Sequence, residues 1–337
     1  MLTTPLSGVI PVVPTVFDDD EELDLAGLAR VVDYLIDGGA DALCILANYS
    51  EQFSLTDEER DQVCRTVLEH TAGRVPTVVT TSHYSARVAA RRSKEAQAMG
   101  ADMVMLMPPF FGATMAVPEA ALTDYFTTVA AATDLPLMVQ DAPMSTTPLP
   151  VGLLVHLIKE VPQLRYAKIE TPGAADKLRT LIAAVGDQLE GPFDGEEAVT
   201  LIPDLDAGAV GTMSSSTVPD RLGRIVRRYH AGDREGAVED WEALLPLIHF
   251  ENRQCGLRAQ KILLAEGASS APTAPAPPSA RSRPRPARAS SNWPAATTRW
   301  CCAGRAERPP SPPPAAGRWG RRQRQESRSS IRVTCLR

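Results

Sequence analysis

The sequence has no apolar run long enough to cross a lipid bilayer, and its N-terminus, MLTTPLSGVIPVV, has no basic segment followed by a cleavage site. We therefore expect neither a membrane-spanning helix nor a secretory signal. The six cysteines include no CxxC pair and no regular spacing, which argues against a disulfide framework or a zinc site. These absences predict a cytoplasmic protein with reduced thiols and no membrane partner.

Nucleotide-binding and metal-binding patterns are also missing. No GxGxxG or GxxxxGK[ST] motif follows an apolar run, which counts against a nucleotide fold. No cluster of His, Asp and Glu has the spacing of metal ligands, so we expect neither a cofactor nor a metal. A formal net charge of -6 and a pI near 5.5 give no reason to expect nucleic acid as a partner.

The composition changes abruptly near Gly267. Residues 268–337 are rich in Pro, Arg, Ala and Ser and lack Lys and Asp, so they cannot bury enough apolar surface to offset their ordering entropy. An arginine-rich RNA-binding tail and a plain disordered tail are two interpretations. We favour a third, an out-of-frame translation of GC-rich DNA. One permitted codon choice for residues 287–304, read two bases later, spells AGLIELARRYDPLVLRW, an amphipathic helix.

Periodic apolar runs dominate the chain before that boundary. A short apolar run, a turn and a longer amphipathic stretch repeat over residues 8–211, and the runs cover 9–15, 42–46, 76–81, 102–107, 136–140, 165–170, 189–193 and 209–214. Runs that are apolar throughout are typical of parallel strands buried on both faces. Eight such units predict an α/β fold, a (β/α)₈ TIM barrel in residues 1–218. C-terminal helices are expected in residues 219–267, over 219–231 and 234–265.

Lysine is scarce, with five residues at positions 94, 159, 168, 177 and 261. Four of them fall on amphipathic helices, where a solvated charge explains them. Lys168 alone lies within an apolar strand, and alternation places it on one face with Tyr166 and Glu170. A desolvated lysine with a lowered pKa is what Schiff-base chemistry with a ketone requires. A structural ion pair with Glu170 is the alternative interpretation.

Motifs occur in a fixed order along the predicted barrel: Pro14-Thr15, residues 55–60 (LTDEER), Met107-Pro108-Pro109, Pro143, Lys168 and Gly208-Ala209-Val210-Gly211. Together they resemble the dihydrodipicolinate synthase/N-acetylneuraminate lyase superfamily of Schiff-base barrels. The resemblance covers residues 6–265. It implies a TIM barrel, a small 2-keto acid substrate, a reacting lysine at position 168 and a homotetramer.

Four positions depart from the usual pattern of that superfamily. The turn after the second strand reads Ala47-Asn48-Tyr49-Ser50-Glu51 instead of Gly-Thr-Thr-Gly-Glu. Gln140 replaces a proton-relaying tyrosine, and Phe110-Phe111 replaces a Tyr-Tyr pair. Ser145 stands where the synthases have a carboxylate-binding arginine. A synthase that uses aspartate semialdehyde would lack its hydroxyl relay and its carboxylate clamp, so we exclude that activity.

Further segments resemble the L-2-keto-3-deoxyarabonate dehydratase branch, namely ILANYSEQF, TVLEHTAGRVP, QDAP, KIETP, EGPFDGEEA and ENRQ. This resemblance implies loss of water from 2-keto-3-deoxy-L-arabonate to give 2-oxoglutarate semialdehyde, a step of L-arabinose catabolism. Three alternatives stay open. The chain could be an aldolase that releases pyruvate, a deaminase that acts on a hydroxylated pyrroline carboxylate, or an inactive relic with a damaged C-terminus.

The implied chemistry gives candidate roles to two groups of residues. Lys168 would form the iminium, and Glu170 would exchange protons unless it only orients the lysine. Tyr49 and Ser50, through backbone amides and hydroxyls, would hold the substrate carboxylate with Asn48 beside them. An ordinary polar turn is the alternative for these three residues.

Side chains near other strand ends are further candidates for substrate binding. Gln140 does not titrate, but its amide could hydrogen-bond a substrate hydroxyl or a water. Asp141 is either a hydrogen-bonding residue of the barrel rim, which we favour, or a general acid. His83 follows the third strand and could titrate in a suitable range, unless it only starts a helix outside the pocket. Asp194, after the seventh strand, is expected to be architectural.

Overall fold

The computed structural model describes residue 2, residues 4–110 and residues 117–269. The predicted low-complexity tail over residues 268–337 therefore lies outside the described residues, apart from the last two residues of the final helix. Within the described ranges, no helix is long and apolar enough to cross a membrane.

Eight strands run parallel through the described chain: β1 (Gly8–Val9), β2 (Leu43–Ile45), β3 (Thr77–Thr80), β4 (Met103–Leu106), β5 (Leu137–Asp141), β6 (Leu164–Ile169), β7 (Gly191–Asp194) and β8 (Gly211–Thr212). They hydrogen-bond in the order β1-β8-β7-β6-β5-β4-β3-β2. A parallel bridge between Val12 and Cys44 then joins the chain after β1 to β2. The Cys44 N–H donates to Pro11 O at 3.0 Å. The sheet therefore curls round into the predicted (β/α)₈ TIM barrel.

Helices alternate with these strands: α1 (Leu25–Asp37), α2 (Asp57–Thr71), α3 (Ala86–Met99), α4 (Glu119–Ala130), α5 (Val151–Glu160), α6 (Ala174–Val185), α7 (Leu201–Asp206), α8 (Pro219–His230), α9 (Arg234–Phe250) and α10 (Leu257–Ser269). The prediction of one helix over 234–265 is wrong. A π-helical segment, Glu251–Cys255, follows α9. Gly256 then adopts a φ of 56°, which ends the helical path before α10 begins.

Local sequence signals set several helix ends. Thr56 accepts a hydrogen bond from the Glu59 N–H at 3.1 Å, and Glu59 accepts one from the Thr56 N–H at 2.7 Å. This reciprocal capping box starts α2. Gly100 and Gly208 have φ of 98° and 105°, the left-handed conformation that closes a helix at low cost.

Alternation along the strands separates two apolar layers. Large buried side chains fill the barrel interior, among them Ile10, Met103, Met105, Met138, Tyr166, Phe193 and Met213. A second layer lies between the strands and the helices. Ala167 and Ile169 of β6 point into this outer layer, whereas Tyr166 points inward. Each large side chain buried in this way contributes about 1.5–3 kcal/mol. The same alternation turns Lys168 toward the barrel axis.

Candidate active site

Lys168 lies at the C-terminal part of β6, where only 2% of the residue is exposed. Its Nζ is 3.0 Å from Glu170 Oε1. Gln140 pairs with Lys168 in the β5–β6 register, and its Nε2 donates to the same Glu170 oxygen at 2.6 Å. The structure therefore brings together three of the predicted site residues at the ends of two neighbouring strands. Catalytic groups of TIM barrels lie at this end.

The charge state of Lys168 differs from the sequence-based expectation. Burial lowers the pKa of Lys168, but the negative charges of Glu170 and Glu197 outweigh burial and raise this pKa above its ordinary value. The prediction of a lowered pKa is therefore wrong for this structure. Because the free amine is the nucleophile, the ammonium must first give its proton to a neighbouring carboxylate.

Glu197 is a site residue that the sequence analysis did not identify. It follows β7, and its charge acts on Lys168 and on Tyr49. Burial raises the pKa of Glu197 well above its usual range, helped by the charges of Glu170 and Glu251, although Lys168 opposes the shift. This shift favours the protonated form of Glu197. Its buried Oε2 has no hydrogen-bond partner among the described residues, so it is available to a ligand.

One signal could have pointed to Glu197, because it lies shortly after a barrel strand on the side where catalytic groups collect. The sequence does not show which way the Glu197 side chain points. Its backbone has a φ of 57°, which a glutamate rarely adopts. Standard propensities do not predict this conformation.

Gly195 leaves the space that the lysine and glutamate occupy. A Cβ at this position would lie 2.5 Å from Glu170 Cγ and 2.7 Å from Lys168 Cγ. Both distances are far shorter than ordinary van der Waals contact. The backbone after β7 can therefore approach the Lys168–Glu170 pair only because residue 195 has no side chain.

Ser50 lies in a 3₁₀ turn over Asn48–Ser50, directly after β2. Its Oγ donates to Val13 O at 2.6 Å and accepts from the Ala47 N–H at 3.2 Å. The hydroxyl therefore joins the turn to the segment after β1. This use of the hydroxyl corresponds to the polar-turn alternative, and it leaves the backbone of the turn as the better candidate for binding a carboxylate.

The side chains of Asn48 and Tyr49 are also engaged with protein atoms. Tyr49 Oη donates to Asn252 Oδ1 at 2.9 Å, which links the turn to the π-helical segment. Asn48 Oδ1 accepts from Gln52 Nε2 at 2.8 Å. The turn's own hydrogen bonds use the N–H groups of residues 50, 51 and 52. Within the described backbone, the amides of Asn48 and Tyr49 are therefore outside those bonds.

Asp141 points away from the barrel axis, because it is in register with the outward-facing Ile169. Its Oδ2 accepts from Lys177 Nζ at 2.5 Å and from Thr171 Oγ1 at 2.7 Å. These contacts tie β5 to the start of α6. They correspond to the rim role that the sequence analysis favoured over a general acid.

His83 lies at the start of α3, where its Nδ1 accepts from the Ser85 N–H at 2.9 Å. Its ring is 5.8 Å from that of Tyr84. Burial lowers the pKa of His83, which favours the neutral ring. These contacts match the helix-start alternative, and none of them joins His83 to the Lys168–Glu170 pair.

Asp194 is fully buried at the end of β7. Its carboxylate accepts from the N–H groups of Glu196 and Ala198 at 3.1 and 3.0 Å and from Thr212 Oγ1 at 2.5 Å. Every one of these partners belongs to the protein framework. The contacts are those of the architectural residue that the sequence predicted.

Comparison with known proteins places this geometry in a family. Residues 5–276 match the dihydrodipicolinate synthetase family. The chain is 53% identical over 273 residues to an L-2-keto-3-deoxyarabonate dehydratase from Azospirillum brasilense. The aligned region covers 80% of this chain and 88% of the relative. It is 28% identical over 249 residues to a 4-hydroxy-tetrahydrodipicolinate synthase from Lachnoclostridium phytofermentans, covering 72% and 81% of the two chains.

A solved structure gives the same result. It is a prophage protein of the dihydrodipicolinic acid synthase family from E. coli K12 in complex with pyruvate, with a TM-score of 0.72 and 27% identity. The match covers 82% of this chain and 93% of that one. The chain therefore belongs to the dihydrodipicolinate synthetase family.

Proposed function

We propose that the chain is a Schiff-base hydro-lyase that removes water from 2-keto-3-deoxy-L-arabonate and forms 2-oxoglutarate semialdehyde in L-arabinose catabolism. One observation carries the proposal. A buried lysine forms an ion pair with Glu170 and feels the charge of Glu197, whose own pKa is raised, in a chain that is 53% identical to a dehydratase of that name. The free thiols Cys44, Cys64 and Cys255 suit a reducing cytoplasmic compartment.

The first stage is formation of the iminium at Lys168. Glu170 Oε1, at 3.0 Å from Nζ, takes a proton from the ammonium, and the free amine adds to the C2 carbonyl. Glu170 returns this proton to the carbinolamine hydroxyl, which leaves as water, so the iminium forms and Glu170 is again ionised. Its positive charge withdraws electrons and acidifies the C3 protons.

The second stage is expulsion of the C4 hydroxyl. Glu170 removes a C3 proton to give the enamine, and the enamine electrons then displace the C4 oxygen. Glu197 holds the proton that the departing hydroxide needs, because burial raises its pKa. Tautomerisation at C4–C5 and hydrolysis of the iminium release the semialdehyde. Water is the only other product, and Lys168 is regenerated.

Substrate binding would use polar groups around this centre. Gln140 Oε1 is buried without a hydrogen-bond partner among the described residues, so it can accept a hydrogen bond from a substrate hydroxyl. The backbone amides of Asn48 and Tyr49 are suited to the substrate carboxylate. The Tyr49 phenol stays neutral, because burial and the charge of Glu197 raise its pKa.

A product assay tests the proposed reaction. Purified protein given 2-keto-3-deoxy-L-arabonate is expected to form 2-oxoglutarate semialdehyde without pyruvate. Release of pyruvate would assign an aldolase instead. If the semialdehyde forms with ammonia only from the hydroxylated pyrroline carboxylate, the chain is the deaminase. If a folded protein forms neither product nor lysine adduct, it is the inactive relic.

Gly195→Ala is expected to lower turnover by about a hundredfold or more, because the new methyl group would displace Lys168 and Glu170 from reacting distance. Steady-state kinetics and circular dichroism measure the loss and check the fold. Gly152→Ala is the matched control, because a Cβ there meets nothing within 4 Å and the position lies in α5. Equal activity of the two variants would show that residue 195 does not limit the site.

We also propose that the chain forms a homo-oligomer, a tetramer, through an aromatic cluster of Phe53, Tyr84 and Phe110. Phe53 and Tyr84 are 51% and 45% exposed. Their rings lie 6.3 and 5.4 Å from that of Phe110 in edge-to-face arrangements. A contiguous exposed aromatic surface is typical of an interface, and a second copy of the chain is the partner that this family suggests.

Phe53→Ser combined with Tyr84→Ser is expected to shift the protein toward smaller species in sedimentation velocity, because it removes two apolar contacts from the cluster. Phe250→Ser is the matched control, since Phe250 is 46% exposed outside the cluster. An unchanged sedimentation profile for the double variant would contradict this interface.

A further inference from the structure

The turn between β7 and α7 presents Glu197 in an uncommon backbone conformation. Glu197 and Ala198 have φ of 57° and 67°, in the left-handed region that residues other than glycine rarely adopt. Consecutive residues in this region persist only where surrounding contacts hold them. The groups that hold this turn therefore decide where the Glu197 carboxyl lies.

The carboxylate of Asp194 accepts hydrogen bonds from the backbone of this turn. One carboxylate oxygen accepts from the Glu196 N–H, and the other accepts from the Ala198 N–H and from Thr212 Oγ1 of β8. These bonds span both sides of Glu197. Trp241 Nε1 of α9 donates to Ala198 O at 2.9 Å, which holds the same turn from the helix side. Asp194 thus connects the turn to two strands of the barrel.

A second carboxyl lies against the first. Asp204 of α7 is fully buried, and its carboxyl interacts with that of Asp194. Its Oδ1 is buried with no other hydrogen-bond partner among the described residues. Thr200 Oγ1 donates to Asp204 Oδ2 at 2.7 Å. Two carboxylates in contact and away from water cannot both be ionised. A proton must therefore lie between Asp194 and Asp204.

The surroundings indicate which carboxyl keeps the proton. Asp194 accepts from two amides and a hydroxyl, and these bonds favour its ionised form, although burial raises its pKa. Burial, followed by the charge of Asp194, raises the pKa of Asp204 to about 8. The charge of Glu196, in the turn, contributes to this rise. Arg253 of the π-helical segment forms an ion pair with Glu196.

We infer that Asp204 donates a shared proton to Asp194, and that this carboxyl pair fixes the left-handed turn that presents Glu197 to Lys168. Both residues are positioning residues, since their contacts are with the protein framework and they act through Glu197. The kinetic part of this inference rests on the proposed dehydratase function. The proton-sharing part does not, because it can be read from folding stability.

The kinetic test compares Asp204→Ala with Asp204→Asn. The alanine variant is expected to lower kcat by about a hundredfold through misplacement of Glu197. Its KM and its borohydride-trapped adduct at Lys168 are expected to stay close to native values, because imine formation does not use Glu197. The asparagine amide can donate to Asp194 as the protonated Asp204 does, so this variant is expected to restore most of the kcat.

The stability test follows melting temperature against pH for the native chain and Asp204→Asn. Asp204 has a higher pKa when folded than its ordinary value near 3.8. Its contribution to folding stability is therefore full below about pH 4 and is lost as the pH rises through about 8. The asparagine variant cannot lose that proton. The native melting temperature is expected to fall relative to the variant between about pH 5 and about pH 8.5.

Each outcome decides one part of the inference. A constant melting difference across that pH range would overturn the shared proton. An Asp204→Ala variant with native kcat, or an Asp204→Asn variant no better than alanine, would overturn the positioning role. If the native chain does not dehydrate the keto acid, the proposed function fails, and the melting curves still test the carboxyl pair.

Discussion

Lys168→Ala is expected to lower the rate of dehydration by on the order of 10⁴-fold or more, as loss of a covalent nucleophile does. The amine of Lys168 is the only lysine nitrogen in contact with Glu170 among the described salt bridges. Without it no iminium forms, and the C3 protons keep the weak acidity of an ordinary ketone. Single-turnover kinetics with 2-keto-3-deoxy-L-arabonate measure this effect.

The control for this variant is Lys159→Ala, since Lys159 is an exposed residue on α5. It is expected to keep native turnover. Removing Lys168 also leaves Glu170 buried without its ion-pair partner, which costs stability. Melting curves must therefore accompany the kinetics. A folded Lys168→Ala protein with more than about a tenth of native activity would contradict a covalent role for this lysine.

Glu197→Gln is expected to separate the two stages of the reaction. Glutamine keeps the size of the side chain but has no proton to give to a leaving hydroxyl. Loss of a general acid lowers a rate by about 10²–10⁴-fold. The imine at Lys168 should still form, because Glu170 remains 3.0 Å from Nζ to accept its proton. Borohydride should therefore trap abundant adduct from a variant that releases little semialdehyde.

The dependence of kcat on pH is a second test of the role of Glu197. Because the protonated form is the active one and burial raises its pKa well above the usual range, native kcat is expected to fall with rising pH as Glu197 loses its proton. Glu197→Gln should show a low kcat without this alkaline decline. Glu190→Gln is a suitable control, because Glu190 pairs with Arg165 and Tyr166 rather than with the Lys168 group. Native turnover by Glu197→Gln would remove this residue from the mechanism.

The fold and the place of Lys168 inside the barrel were predictable from the sequence, because both follow from simple periodicities. Strands that are apolar throughout indicate a buried parallel sheet, and the alternation around Lys168 places it inside the barrel. Glu170 was a candidate because the same alternation places it on the face of Lys168, and Gln140 was one because it stands where the superfamily has a tyrosine. Their mutual hydrogen bond could not be predicted, because it depends on the strand register.

The failures arose where long-range contacts decide the outcome. The lowered pKa expected for Lys168 was wrong because the charges of Glu170, directly after β6, and of Glu197, after β7, raise this pKa more than burial lowers it. Glu197 was missed because its direction depends on a left-handed turn held by Asp194 and Trp241. The helix expected over 234–265 was wrong because a π-helical segment interrupts the periodic pattern. The spacing of residues along the sequence does not reveal any of these contacts.

Peptide mapping of the trapped intermediate tests the Schiff-base mechanism most directly. The native protein is incubated with 2-keto-3-deoxy-L-arabonate, reduced with sodium borohydride, digested and analysed by tandem mass spectrometry. The mechanism predicts one reduced adduct, on the peptide that contains Lys168, in an amount that matches the active fraction. An adduct confined to another lysine, or full dehydratase activity with no adduct at all, would contradict it.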